Sequence, residues 1–382
     1  MSIRLTVNAG EHDRIHCPVS TRITAVDMDP QRVVMRDESS GEQIPCQAER
    51  CGDTIQLSWI LPLLPAKATR RFVVEAGEPV TNGVALDAAD GRIDIAIAGE
   101  HFTSYHFGPK WSRPFLHPVI GPHGDPITRG YPVQDNLPGE TQDHPHHKSF
   151  WVAWGDVNGT DNWSENQERG HAKQVQRELP EASSGPVFAT IRTRNDWVSE
   201  AGEKVLEEAR TLKVYNLPAA CRLVDLNVEF RATNGPVTFG DTKEGGICSI
   251  RVATSMDAKE HGVIVNAYGG TNEAETWGKR APWCDYYGPV NGKTVGICIF
   301  DNPANFRHPT YWHVRNYGLM TANPFGLSHF LKNKEIDGSH TLGAGETLAF
   351  QYRVLFHAGD TKTAAVAERY HDYINPPGIS QE

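Results

Sequence analysis

Residues 348–356 read Leu-Ala-Phe-Gln-Tyr-Arg-Val-Leu-Phe, with a large apolar side chain at every second position. In an extended chain Leu348, Phe350, Tyr352, Val354 and Phe356 share one face, the pattern of a strand with one side on a core. Val224, Leu226, Val228 and Phe230 repeat the alternation, as do Ile93, Ile95 and Ile97. Between such runs stand Gly, Pro, Asn and Asp; 35 Gly and 25 Pro are dense enough to interrupt any long helix. The expected fold class is all-β.

Residues 83–382 carry more short strands than a small sandwich uses, which predicts a large antiparallel β-sandwich of two packed sheets. Gly, Pro, Thr and Asn interrupt the strands near Glu78 to Gly83, so residues 1–80 are expected to form a small N-terminal, Ig-like β-sandwich, the alternative being one continuous sheet. One helix is expected near the C-terminus, capped by Asp360 or Thr361, with Val366, Tyr370, Tyr373 and Ile374 as its apolar stripe and Pro376 and Pro377 as its stop.

Lys and Arg total 37 against 47 Asp and Glu, a net charge of −10, which argues against a nucleic-acid partner. No run approaches the roughly 20 apolar residues of a membrane helix, and residues 1–7 lack the basic and apolar regions of a signal peptide. A cytoplasmic protein with no membrane partner is the expectation, and a homo-oligomer stays open. Seven scattered cysteines, never spaced C-x-x-C, fit reduced thiols, with a Cys46–Cys51 pair as the alternative.

Three distant stretches crowd polar and aromatic side chains together. The first runs from Asp143 through His144, Pro145, His146, His147, Lys148 and Ser149 to Trp151, then on to Asn158 and Trp163. Three imidazoles in four residues are costly to bury, because each needs a partner and a suitable tautomer. If the run is extended, His144 and His146 share a face and suit two metal ligands or a ligand and a general acid; Pro145 favours a loop instead. A hydrogen-bonded loop plug is the bland reading. The second stretch, Phe239 to Gly246, sets Asp241, Lys243 and Glu244 among glycines, as equipment for proton transfer or as a charged hairpin. The third, Asp301 to Gly326, includes His308, Trp312, His313, Arg315, Asn316, Tyr317 and Asn323, a mixture that suits a sugar: aromatics for its C–H faces, Asn, Arg and His for its hydroxyls. Tyr105 to Lys110 and Trp277 to Tyr287 are further wall candidates. Nucleophile-elbow, dinucleotide, P-loop and zinc-protease motifs are absent, and no nucleotide cofactor is expected.

The strings DHPHHKSFWVAWGDVNGTDNW, FGDTKEGG, WGKRAPWCDYYGP and FRHPTYWHVRNYGLMTANPFG, in this order, resemble the bacterial PmoA family, so-called methane oxygenase PmoA. The membrane methane monooxygenase subunit is an integral helical protein, and this chain has no such spans. The resemblance, over about residues 86–373, implies a galactose mutarotase-like supersandwich and a role in carbohydrate metabolism, with a small β-domain in front. It assigns no residue roles.

The expected function is that of a carbohydrate-active enzyme working on a sugar or keto-glycoside by acid and base chemistry: epimerisation, elimination or hydration, or glycosidic cleavage. His146 or His147 would serve as acid or base, Glu244 or Asp241 as the opposite partner, and His313 with Arg315 would polarise a carbonyl or hold a carboxylate. Tyr105, Lys148, Trp151, Asn158, Trp163, Lys243, His308, Trp312 and Asn323 would bind substrate. A divalent metal on His144, His146 or His313 is an alternative electrophile. A non-catalytic carbohydrate-binding protein is the second reading, and a metal-dependent oxygenase the third. All require residues 146, 244 and 313 to meet at the mouth of one sheet pair.

Overall fold

The alternating runs pair with one another. Val224, Leu226, Val228 and Phe230 lie opposite Val354, Tyr352, Phe350 and Leu348 in adjacent antiparallel strands, so one apolar face continues across both. This register belongs to a computed structural model that describes residues 2–24, 28–165 and 171–382.

Two large antiparallel sheets form the main body. The eight-stranded sheet runs Tyr311–Val314, Leu319–Asn323, Gly245–Arg251, Phe150–Trp154, Phe115–Leu116, Glu100–His106, Arg92–Ile97, Val84–Ala89. The nine-stranded sheet is centred on Lys204–Tyr215, Cys221–Arg231, Thr347–Ala358 and Lys293–Asp301. Ile93, Ile95, Phe150, Val152, Trp154 and Ile250 from the first sheet meet Leu226, Val228, Phe350, Tyr352 and Val354 from the second in one core. The all-β sandwich read from the alternation is what the chain forms.

A second core, with Leu5, Val7, Trp59, Phe72 and Val74 at its centre, lies between a five-stranded and a three-stranded sheet near the N-terminus. The segment Gly378–Gln381 returns to pair with Ile3–Asn8, so the division at residue 83 needs correction: the last strand belongs to the first sheet. Sequence reading missed it because prolines 376 and 377 looked like a terminus rather than a bend into a strand. All seven cysteines are free, including Cys46 and Cys51.

The C-terminal helix spans Val366–Ile374, and its Val366 and Tyr370 pack with Leu223, Phe300 and Leu355 on the outer face of the nine-stranded sheet. Its N-cap is Ala365, in the left-handed region at φ 51° with no side-chain cap, rather than Asp360 or Thr361. Asp360 instead accepts from the Thr363 N–H in the preceding turn, and Thr361 donates to buried Asp285. Among the described residues no helix is long and apolar enough to cross a membrane. The outer face of the eight-stranded sheet is covered by loops, and there the polar stretches gather.

Candidate functional site

Strand alternation decides which side chains reach this outer face. Phe150, Val152 and Trp154 enter the inter-sheet core, while Trp151 and Ala153 turn outward to Phe115, Trp163 and Leu319. Register then lines up His313, Thr321, Ser249, Trp151 and Phe115 as successive cross-strand neighbours, a row across the sheet. Ser249 and Thr321 share a hydroxyl hydrogen bond of 2.6 Å at the centre of the row. Gly246 is required beside it, since a Cβ there would lie 2.5 Å from the Ser249 hydroxyl and still closer to that of Thr321.

Over this row lies the histidine loop, and it is not extended. The His147 N–H donates to the His144 carbonyl at 3.0 Å, closing a turn around Pro145 and His146. The facing rule for a strand therefore fails: His144 stacks on His147, with ring centres 4.8 Å apart and planes at 5°, while His146 stands edge-on to His147. His144 also stacks on Tyr317 at 4.9 Å, and His147 on Trp151 at 5.4 Å.

Buried arginines hold the loop. Arg129 donates to the carbonyls of Asp143 and His144 and to the Asp143 carboxylate at 2.5 Å. Arg113 donates to the carbonyls of His146 and Trp163. Arg251 pairs with Asp143 at 2.9 Å and reaches His147 Nδ1 at 3.1 Å. Burial opposes ionisation of Asp143, but Arg251, His144 and Arg129 outweigh it and hold the carboxyl below its ordinary range.

The protonation of two rings follows from their partners. Arg251 can only donate, so His147 Nδ1 accepts and the neutral ring carries its proton on Nε2. Trp277 likewise donates to His313 Nδ1 at 3.0 Å, fixing the same tautomer there. Burial, with Lys243, Arg315, His329 and His144 around it, pushes the His313 pKa down to about 3. Burial, then His146, Arg251, His144 and Arg129, hold His147 well below the ordinary imidazole range. Burial and Arg113, with His144, Lys148 and Arg129, take His146 to about 3. These imidazoles are neutral at physiological pH, and two of them, His147 and His313, each 1% exposed, carry their proton on Nε2.

The three stretches come within electrostatic range of one another, on the outer face of one sheet rather than at the mouth between two. The electrostatic neighbours of Tyr317 include Arg315, Arg251, Glu244 and Asp143, and those of His313 include Lys243 and His144. Lys243 and Glu244 form a half-exposed ion pair at the rim. Arg315 pairs with Glu273 at 2.8 Å.

Several expected site residues lie elsewhere or serve the scaffold. Tyr105 and Trp312 are in the inter-sheet core, Trp312 donating to the Ala281 carbonyl, because each falls on the inward phase of its strand. Asn158 is exposed in a turn, bonded to Pro236 and Thr238. His308 belongs to a cluster around buried Asp301. Asp241 accepts from the N–H groups of Ser328 and Gly338 through one carboxylate oxygen and so pins that loop. Asn323 donates to the carbonyls of Thr242, Lys243 and Gly245, and so shapes the Lys243–Glu244 turn. Lys148 is buried against Glu165, which Arg113 also engages, and burial lowers its pKa to about 8. Trp151 and Trp163 are only 1% exposed, which leaves no open stacking face. Among the described residues no group of three or more His, Cys, Asp or Glu is arranged to hold a metal ion.

Arg113, Arg129, Arg251 and Asp143 escaped the sequence reading as site residues. An arginine destined for burial looks like any other in sequence; the one usable signal was Asp143 opening the histidine run.

The fold and site define a class: a two-sheet antiparallel sandwich carrying a cation-ringed cluster of neutral histidines on one outer face. Residues 92–371 match the family described as "Family of unknown function (DUF6807)", and the chain belongs to it. Among solved structures it is similar to a protein in the Glycosyl Hydrolase Family 38 from Enterococcus faecalis and to an alpha-mannosidase from Enterococcus faecalis V583. Each has 9% identity and a TM-score of 0.42, with all of this chain covered and 47% and 46% of theirs. The chain thus spans about half the length of these structures. No curated protein matches it.

Proposed function

We propose that this protein is an acid–base enzyme acting on a carbonyl-bearing sugar, such as a keto-glycoside, by shifting a proton next to the carbonyl, with isomerisation or elimination as the outcome. The observation that carries the reading is the pair of tautomer-locked neutral imidazoles, His147 and His313, each with its Nδ1 occupied by a donor. A neutral N–H donor stabilises an oxygen that gains negative charge without first surrendering its proton, which suits an enolate-forming step.

The same occupancy argues against His147 as the base, since its only lone pair on nitrogen is taken. His144 is better equipped. Its Nδ1 lies 3.1 Å from Asp143 Oδ2 without a hydrogen bond between them, so the carboxylate attracts the ring only once Nε2 has accepted a proton. Glu244, half-exposed at the rim, is the second candidate proton acceptor.

The test is incubation of the full chain with methyl glucosides and their 3-keto derivatives in D2O, followed by NMR. Deuterium uptake at the carbon beside the carbonyl, lost in His144→Gln, supports the reading. Unchanged spectra for every keto sugar would defeat it.

A further inference from the structure

Tyr317 is fixed against the histidines by its own turn. It lies between the strands Tyr311–Val314 and Leu319–Asn323, where the Gly318 N–H donates to the Arg315 carbonyl at 3.0 Å. The Tyr286 hydroxyl donates to the Asn316 carbonyl at 3.0 Å, and Glu273 both accepts from the Asn316 N–H and pairs with Arg315, each at 2.8 Å. Gly318 sits in the left-handed region at φ 95°, and a Cβ there would lie 2.6 Å from Asp257 Oδ1, so the turn takes no larger residue at that point.

Three rings then share one block. His147 and Tyr317 each lie nearly parallel to His144, with ring centres 4.8 and 4.9 Å from it and 6.4 Å from one another. Rings on opposite faces of His144 would stand roughly 7 Å or more apart, two carbon contact distances, so His147 and Tyr317 lie side by side on one face. Arg251 joins them, donating to His147 Nδ1 at 3.1 Å with its guanidinium carbon 5.0 Å from the Tyr317 ring centre. The hydroxyls of Tyr215, Tyr286 and Tyr370 are hydrogen-bonded and that of Tyr352 is sealed in the core. The hydroxyl of half-buried Tyr317 is neither bonded among the described residues nor sealed. Burial pushes its pKa up to about 12 against the pull of Arg315 and Arg251, with Glu244 and Asp143 adding to the rise, so it keeps its proton at neutral pH.

We infer that the Tyr317 hydroxyl is the proton donor to a leaving oxygen, which makes the reaction an elimination and the substrate a keto-glycoside whose glycosidic bond breaks. This rests on the proposed function, with His144 as the base, and deepens it. For a 3-keto-glycoside, His144 Nε2 takes the proton from C2, and the electron pair left behind closes a double bond between C1 and C2. The bond from C1 to the glycosidic oxygen breaks, and that oxygen takes the Tyr317 proton and departs as a neutral alcohol. Water carries the proton from His144 back to the phenolate, and nothing is oxidised or reduced. An alkoxide is a poor leaving group, so this step needs a donor beside the base, and the stacked block holds both.

The test compares the full chain with Tyr317→Phe, which keeps the ring in the block and deletes only the hydroxyl, on methyl 3-keto-glucoside and 4-nitrophenyl 3-keto-glucoside in D2O. In the variant, methanol release should fall on the order of 100-fold or more, while deuterium uptake at C2 continues. Release of 4-nitrophenol, a leaving group that needs no acid, should hold close to the native rate. Methanol release undiminished in Tyr317→Phe would overturn the inference. So would an equal fall of uptake and both releases in a folded variant, since Tyr317 would then only position the rings. Deuterium uptake by the native chain with neither alcohol released would overturn the elimination and leave the proposed proton shift standing. Neither uptake nor release by the native chain would remove this inference and the proposed function together.

Discussion

The indole N–H of Trp277 donates to Nδ1 of His313 across 3.0 Å, and thereby decides which nitrogen of a buried imidazole carries the proton. The sequence separation is 36 residues, and the short helix Asn272–Thr276 leads directly into the tryptophan that makes the bond. Trp277→Phe keeps an aromatic ring against Phe330 and deletes the donor. If His313 acts through Nε2–H, kcat for a keto sugar should fall about 10- to 100-fold with KM little changed, as for other groups that orient a ligand-contacting histidine. The freed Nδ1 should also add a new step to the pH profile. An unchanged profile at reduced rate would mean that Trp277 only fills space.

Arg129 ties the histidine loop to the sheet. Its guanidinium bonds the carbonyls of Tyr131, Asp143 and His144 as well as the Asp143 carboxylate. Arg129→Ala would leave those carbonyls and a carboxylate short of partners, at about 3–5 kcal/mol of stability by urea unfolding. Arg129→Lys should recover little, because one ammonium cannot span the same fork of acceptors.

Asp241 separates a scaffold role from a catalytic one. Asp241→Asn keeps an oxygen for the N–H groups of Ser328 and Gly338 but removes the charge, so a loss of about 1–2 kcal/mol in stability is expected with kcat nearly unchanged. Loss of turnover in a fully folded variant would return Asp241 to the site.

Acid should unfold the protein through its neutral histidines. His146 and His313 sit at about 3 and His117 at about 4 in the folded chain, all below the ordinary 6.5, with burial as the main cause each time. The unfolded chain therefore binds more protons between these values, and stability rises with pH up to about 6.5 and is lost as pH falls below it. His146→Asn should flatten the loss between pH 7 and pH 5 by on the order of 1–2 kcal/mol in denaturant titrations. Asp257, raised to about 6 by burial, works in the opposite sense and only partly offsets the trend.

Much of the architecture was legible because period-two alternation is a direct consequence of pleating. Ile93, Val228 and Phe350 all sit in the core where their phase put them. The same rule read with one more step would have sent Trp312 inward and His313 outward, since neighbours on a strand face opposite sides. What resisted was everything set by long-range partners. Nothing local in Thr128-Arg129-Gly130 says that the arginine will reach Asp143, and nothing in the histidine run says that a turn at Pro145 will stack His144 on His147. The return of residues 378–381 to the first sheet is of the same kind.

His147 and His313 stay neutral with their protons on Nε2, held so by Arg251 and Trp277 at Nδ1. Nitrogen-15 NMR of imidazole-labelled protein, assigned with His147→Gln and His313→Gln, reads both tautomer and charge. The Nε2–H form is expected for both rings across pH 5–8. A protonated imidazolium at pH 6, or a proton on Nδ1 of either ring, would contradict it.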